Sequence, residues 1–172
     1  MKKIIFVSGI HGVGKGYIAK QIKNEINISI YEASNLIRLN GVSTDEKKKV
    51  SNVKLNQDLL INSINNLKCN ETFILNGHTC LLTSDNKIES IDINYFKKIN
   101  IIGIISVYND IDIIEDRLYK RDNIHFDKII LDNLQKIEVE NAKQLSEKMS
   151  IPLLSFKSGD DIETIINFIT NL

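Results

Sequence analysis

Short apolar runs recur along this chain, at residues 4–7, 28–31, 72–75, 101–107 and 152–156, with polar stretches between them. Most are rich in β-branched residues and apolar at consecutive positions. That pattern predicts strands buried on both faces, as in a parallel sheet. Between the runs the apolar positions fall at helical spacing, at about residues 17–26, 33–67, 110–120, 127–149 and 160–169. Within the second group, Ser43-Thr44-Asp45-Glu46 offers a capping box from Ser43 to Glu46. The segment Thr83-Ser84-Asp85-Asn86-Lys87 reads as a turn, of the kind that closes a short hairpin. Strands alternating with helices predict an α/β fold: a five-stranded parallel sheet flanked by helices, in three layers, with right-handed crossovers.

Composition narrows the picture. A chain of 172 residues is expected to be one domain with a sizeable core. Lysine plus arginine and aspartate plus glutamate both number 22, whereas a sequence-independent nucleic-acid binder is normally more basic. The two cysteines, Cys69 and Cys80, have neither metal spacing nor a disulfide framework, and are expected as buried thiols in a reducing compartment. Met1-Lys2-Lys3 and the apolar run behind it mimic a signal peptide, but the run is too short and Gly9, Gly12, Gly14 and Lys15 interrupt it. No stretch approaches the ~20 apolar residues of a membrane span, so a cytoplasmic protein is expected.

The first run leads directly into Gly9-Ile10-His11-Gly12-Val13-Gly14-Lys15-Gly16, and a helix follows. Strand, glycine-rich loop and helix is the context a phosphate-binding loop requires. The glycines let successive N–H groups turn toward an anion, and the helix adds its positive end. Lys15 brings a charge to the β- and γ-phosphates. The general pattern continues with a serine or threonine whose hydroxyl ligates Mg²⁺. Here Gly16 and then Tyr17 follow, and a phenol stands much farther from its backbone than a threonine hydroxyl.

Two further clusters carry chemistry. The third strand ends in Asn76-Gly77-His78, where phosphate-loop enzymes usually place a Mg²⁺-holding aspartate. Asn-Gly is also an ordinary turn dipeptide. An asparagine can accept a hydrogen bond from a metal-bound water but brings no negative charge, so no direct carboxylate ligand is expected there and metal binding would lean on the phosphates. The fourth helix ends in Asp116-Arg117-Leu118-Tyr119-Lys120-Arg121, which sets Arg117 and Arg121 on one face. Asp116 and Asp122 offer the plainer reading, a neutralised surface. The chain uses lysine for nearly every positive charge and has only three arginines, the third being Arg38. Positions that keep arginine are candidates for its planar fork on phosphate.

In order and spacing these segments resemble nucleoside monophosphate kinases, closest in layout to archaeal-type adenylate kinases. Gly14-Lys15-Gly16 resembles that family's ATP-phosphate loop, in which a threonine usually follows where Tyr17 stands here. Asn35-Leu36-Ile37-Arg38 resembles its acceptor-phosphate segment, and Ile74-Leu75-Asn76-Gly77-His78 its Leu-Asp-Gly segment. Asp116-Arg117-x-x-x-Arg121 resembles the start of its lid. The resemblance implies a P-loop NTPase fold, with an acceptor region at about 32–68 and a short lid at about 121–127. It implies ATP and Mg²⁺ as cofactors. Gly9, His11, Gly12, Val13, Gly14, Lys15, Gly16, Tyr17 and Arg117 would bind the donor. Lys15, Arg117 and Arg121 would act on the transferring group. Ser34, Asn35, Arg38, Asn76 and His78 would face the acceptor, though no acid or base task is assigned to His11 or His78. The lid departs from the family in its scarcity of arginine after Arg121.

The expected function is therefore transfer of the γ-phosphoryl group of ATP to a small acceptor, a nucleoside monophosphate, with no membrane or nucleic-acid partner. Two alternatives stand beside it. One is a P-loop kinase for another small hydroxyl-bearing acceptor, such as an antibiotic or a sugar acid. The other is a non-catalytic ATP-binding switch, favoured by Asn76 and Tyr17.

Overall fold

The computed structural model describes residues 2–39, 53–68, 71–83, 85 and 87–172. The first strand, β1 (Ile4–Ser8), is buried along its whole length and runs into the glycine-rich turn. Helix α1 (Lys15–Glu25) follows, then β2 (Ser29–Glu32), α2 (Ala33–Arg38) and α3 (Val53–Asn66). The middle of the chain holds β3 (Phe73–Gly77), β4 (Cys80–Leu82), β5 (Ile88–Ser90) and α4 (Ile93–Phe96). The last part holds β6 (Ile101–Tyr108), α5 (Ile111–Asp122), α6 (Lys128–Met149), β7 (Leu153–Lys157) and α7 (Glu163–Thr170). The capping box at Ser43 and the thiol of Cys69 lie outside the described residues.

Five strands form one parallel sheet in the order β2-β3-β1-β6-β7. Alternate residues of each central strand feed two separate cores, as the two-residue strand period requires. Ile5, Val7, Ile74, Ile105 and Val107 point to one face, where Ile18, Ile22, Ile114, Leu118 and Leu134 cover them. Ile4, Phe6, Phe73, Leu75 and Ile104 point to the other, against Leu36, Leu60, Ile64, Phe96 and Leu145. Each such side chain contributes roughly 1.5–3 kcal/mol relative to exposure, which is why the apolar runs are continuous.

The expected hairpin is present as β4 and β5. β4 and β5 pair antiparallel, and Thr83 N–H donates to the Lys87 carbonyl at 2.8 Å. Helix α1 begins two residues before the expected start, so Lys15 is its first residue. The expected helical group over 33–67 includes α2 and α3, and α4 is a single turn capped by Asp92, which accepts from Asn94 N–H at 2.8 Å. Among the described residues no helix is long and apolar enough to cross a membrane.

Candidate functional site

Strand order decides what meets at the site. β1 lies between β3 and β6, with Ser8 in register with Gly77 and with Ser106. The loop leaving β1 and the segment leaving β3 therefore emerge side by side. On the far side of β3, Glu32 at the end of β2 is in register with Asn76. Functional groups from loops separated by tens of residues are collected at the carboxyl edge of the sheet, where ligands of open α/β sheets bind.

The loop has the backbone that anion binding needs. Gly12 and Gly14 adopt φ of 81° and 116°, a region side chains rarely enter. A Cβ on Gly14 would stand 2.4 Å from Ser158 Oγ. Gly14 caps α1, and the first N–H groups of that helix have no intrahelical partner. Such a cradle, walled at Gly14 and lined by helix amides, fits a nucleotide's phosphates. Gly16 is open: beyond its own helix, a Cβ there would meet nothing within 4 Å. Tyr17 beside it is 61% exposed.

Lys15 folds back over the loop, its Nζ donating to the carbonyl oxygens of Gly9 and Ile10. Burial of the ammonium draws its pKa down to about 8; Glu138 and Glu32 oppose the shift, and Arg121 adds to it. Both carboxylates and the guanidinium thus act on the lysine electrostatically.

Arg117 reaches the same loop from α5. Its Nη1 donates to the Val13 carbonyl at 2.9 Å, and lies 3.5 Å from the Gly12 carbonyl and 3.4 Å from Ser158 Oγ. Arg121, one turn on, holds Asp122 with both arms of its fork, at 2.9 and 3.0 Å. His11 feels Arg121 and Asp122 electrostatically, so the start of the expected lid stands near the loop.

His11 and His78 meet, with ring centroids 4.5 Å apart and planes tilted by 49°. Burial, then Lys15, then Arg121, hold His11 down to about 3, with Asp122 opposing. Burial, then Lys15 and His11, hold His78 well below its ordinary value. Burial and the neighbouring cations thus favour the neutral form of both imidazoles.

Ser34, Asn35 and Arg38 sit together on α2, directly after Glu32; Asn35 and Arg38 are exposed, and Arg38 donates to the Asn35 side chain. That hydrogen bond ties Arg38 within its own helix rather than to the loop. Asn76 is buried and its Nδ2 donates to Glu32 Oε1 at 2.6 Å. A carboxylate thus does stand at this corner, supplied by the neighbouring strand. Among the described residues no group of three or more His, Cys, Asp or Glu is arranged to hold a metal ion.

Sequence reasoning missed three residues here. Glu32 becomes relevant only once β2 is known to lie beside β3. Ser158 follows β7 and touches the Gly14 turn. Glu138 is fully buried on α6, and the available signal was an acidic residue on the apolar stripe Leu131, Leu134, Ala142, Leu145.

A shikimate kinase from Acinetobacter baumannii, solved in complex with shikimate, superposes with a TM-score of 0.63 at 15% identity, over 98% of this chain and 93% of that one. An uncharacterized protein from Eubacterium ventriosum superposes with a TM-score of 0.50 at 15% identity, over 99% and 96%. No curated protein matches the chain. The parallel sheet and the loop are those of the P-loop NTPase fold, which the Acinetobacter structure shares. Residues 8–138, from the end of β1 to the middle of α6, match the family described as AAA domain, and the chain belongs to that family.

Proposed function

We propose that this protein is an ATP-dependent phosphotransferase that acts on a small acceptor carrying a hydroxyl group. The observation that carries the acceptor is the pair formed by Glu32 and Asn76, with the carboxylate held 2.6 Å from the amide nitrogen beside the loop lysine. A carboxylate fixed there repels an acceptor phosphate and receives the proton of an acceptor hydroxyl. In the step, the hydroxyl oxygen bonds to the γ-phosphorus and the bond to the β,γ-bridging oxygen breaks. ADP leaves, and the hydroxyl proton passes to Glu32. Lys15, Arg117 and Arg121 neutralise the charge on the phosphoryl group, the dominant need of such reactions. Mg²⁺ would arrive on the nucleotide, held chiefly by its phosphates. The shared fold with a shikimate kinase supports a hydroxyl acceptor.

A nucleoside monophosphate acceptor is the second reading, and Arg38 on α2 favours it. Single-turnover transfer from γ-labelled ATP separates the two. Hydroxy acids and sugar acids form one acceptor panel and nucleoside monophosphates the other. Label on a hydroxy or sugar acid, with Glu32→Gln slower by roughly a hundredfold, supports the first reading. Label on a nucleotide with Glu32→Gln unimpaired replaces it by the second. ATP binding with no transfer to either panel leaves the nucleotide-binding switch.

A further inference from the structure

Glu138 is the one charged residue on the buried stripe of α6, and it is fully enclosed. A carboxylate in such a place is costly unless donors meet it. Four do. Gly9 N–H donates to Oε1 at 3.0 Å, and Thr79 N–H lies 2.9 Å from Oε1 and 3.0 Å from Oε2. Cys80 N–H donates to Oε2 at 2.9 Å, and the Cys80 thiol lies 3.3 Å from the same oxygen. Thr79 Oγ1 closes the arrangement by donating to the Glu138 carbonyl at 3.0 Å.

These partners are not scattered. Gly9 is the first residue of the phosphate loop, and its own carbonyl takes the Lys15 ammonium. Thr79 and Cys80 directly follow Asn76-Gly77-His78. One side chain from a distant helix therefore ties the start of the loop to the segment leaving β3.

We infer that Glu138 is a positioning residue for the phosphate loop, which it fastens to the exit of β3, and that its buried carboxylate, on the N–H of the same Gly9 whose carbonyl takes the Lys15 ammonium, is the counter-charge of that ammonium. The inference rests on the ATP-binding reading above. The titratable and charged groups that bear on Lys15 and its loop are Glu138 from α6, Glu32 from β2, Arg117 and Arg121 from α5, His11 within the loop and His78 after β3. Both histidines are neutral above neutral pH, so Glu138 and Glu32 carry the opposing charge, with Glu138 the larger influence. ATP binds the protonated lysine better. Its affinity is therefore expected to fall at alkaline pH, from about 8 upward, as the lowered pKa of Lys15 is passed.

The test is ATP affinity from neutral to alkaline pH for the wild type, Glu138→Gln and Glu138→Asp. The alkaline midpoint is expected to move down by about one pH unit in Glu138→Gln and to return most of the way in Glu138→Asp. A purely structural role would lower the melting temperature and leave that midpoint in place, and a folded Glu138→Gln with an unmoved midpoint overturns the inference. If Glu138→Gln does not fold, amide hydrogen exchange on the wild type decides. The Gly9, Thr79 and Cys80 amides are expected to be protected and to open together. Free exchange at Gly9 beside protected Thr79 and Cys80 overturns the inference. A wild type that binds no ATP at any pH refutes the nucleotide-binding reading instead, and the exchange experiment still judges the fastening.

Discussion

Arg117 Nη1 donates to the carbonyl oxygen of Val13 at 2.9 Å, so a guanidinium from α5 rests on the rim of the loop that leaves β1. The same group lies 3.4 Å from Ser158 Oγ, at the turn after β7. One arginine thus joins two loops that would border a bound nucleotide. Arg121 is on the same face one turn later, but its fork is held by Asp122.

These two positions lead to different expectations. Arg117→Lys loses the planar fork that reaches the loop, so ATP affinity and kcat should both fall. Arg121→Lys should lower kcat by roughly tenfold or more and change the ATP Kd much less, if its contact strengthens in the transition state. Binding by calorimetry and turnover by single-turnover kinetics read the two quantities. Equal small effects from both substitutions would remove both arginines from the phosphoryl-transfer step.

Glu32 and Asn76 make a second pair whose polarity can be reversed. Asn76→Asp sets a carboxyl against a carboxylate at the distance now bridged by a hydrogen bond. One of the two must then keep its proton in the folded protein. That raises a carboxyl pKa on folding, so the folded state holds the extra proton. The variant's stability relative to wild type is lost as pH rises from about 4 through the raised value. Each unit of that rise is worth about 1.4 kcal/mol. Melting temperatures at pH 5 and pH 8 test this. A variant deficit that is the same at both pH values would place Asn76 away from Glu32 in solution.

The contact between His11 and His78 predicts an acid limit. In the unfolded chain both titrate near 6.5, whereas in the fold His11 does so at about 3 and His78 is also held low. Between those values the unfolded state binds more protons, so stability is lost as pH falls from about 6.5 toward 3. Replacing both rings, by His11→Gln and His78→Asn, should flatten the fall in denaturation midpoint between pH 7 and pH 4.5. A slope equal to that of the wild type would show that the imidazoles are solvated and free to protonate.

What was legible in the sequence was what adjacent residues decide. The run Ile4-Ile5-Phe6-Val7 needs burial on both faces, and Gly12, Gly14 and Lys15 announce their turn and helix locally. The 83–87 turn was readable for the same reason. The spacing of Arg117 from Arg121 and the rarity of arginine were legible too, and the fold brings Arg117 to the loop. What could not be read depends on which strands become neighbours. Nothing near Glu32 says that β2 will lie beside β3 and offer a carboxylate to Asn76. Nothing near Glu138 says that the middle of α6 will pass beneath Gly9. Nor does anything near Arg38 say that its partner in the fold is Asn35, one turn back on the exposed face of α2.

The most direct measurement is a single turnover with γ-labelled ATP and the acceptor panels, run side by side with the wild type and Lys15→Ala. The wild type is expected to place the label on a small hydroxyl-bearing acceptor. Lys15→Ala, with its fold intact by circular dichroism, is expected to place none. Label that never leaves ATP in the wild type, or transfer that proceeds equally well without the Lys15 ammonium, would contradict phosphoryl transfer at this loop.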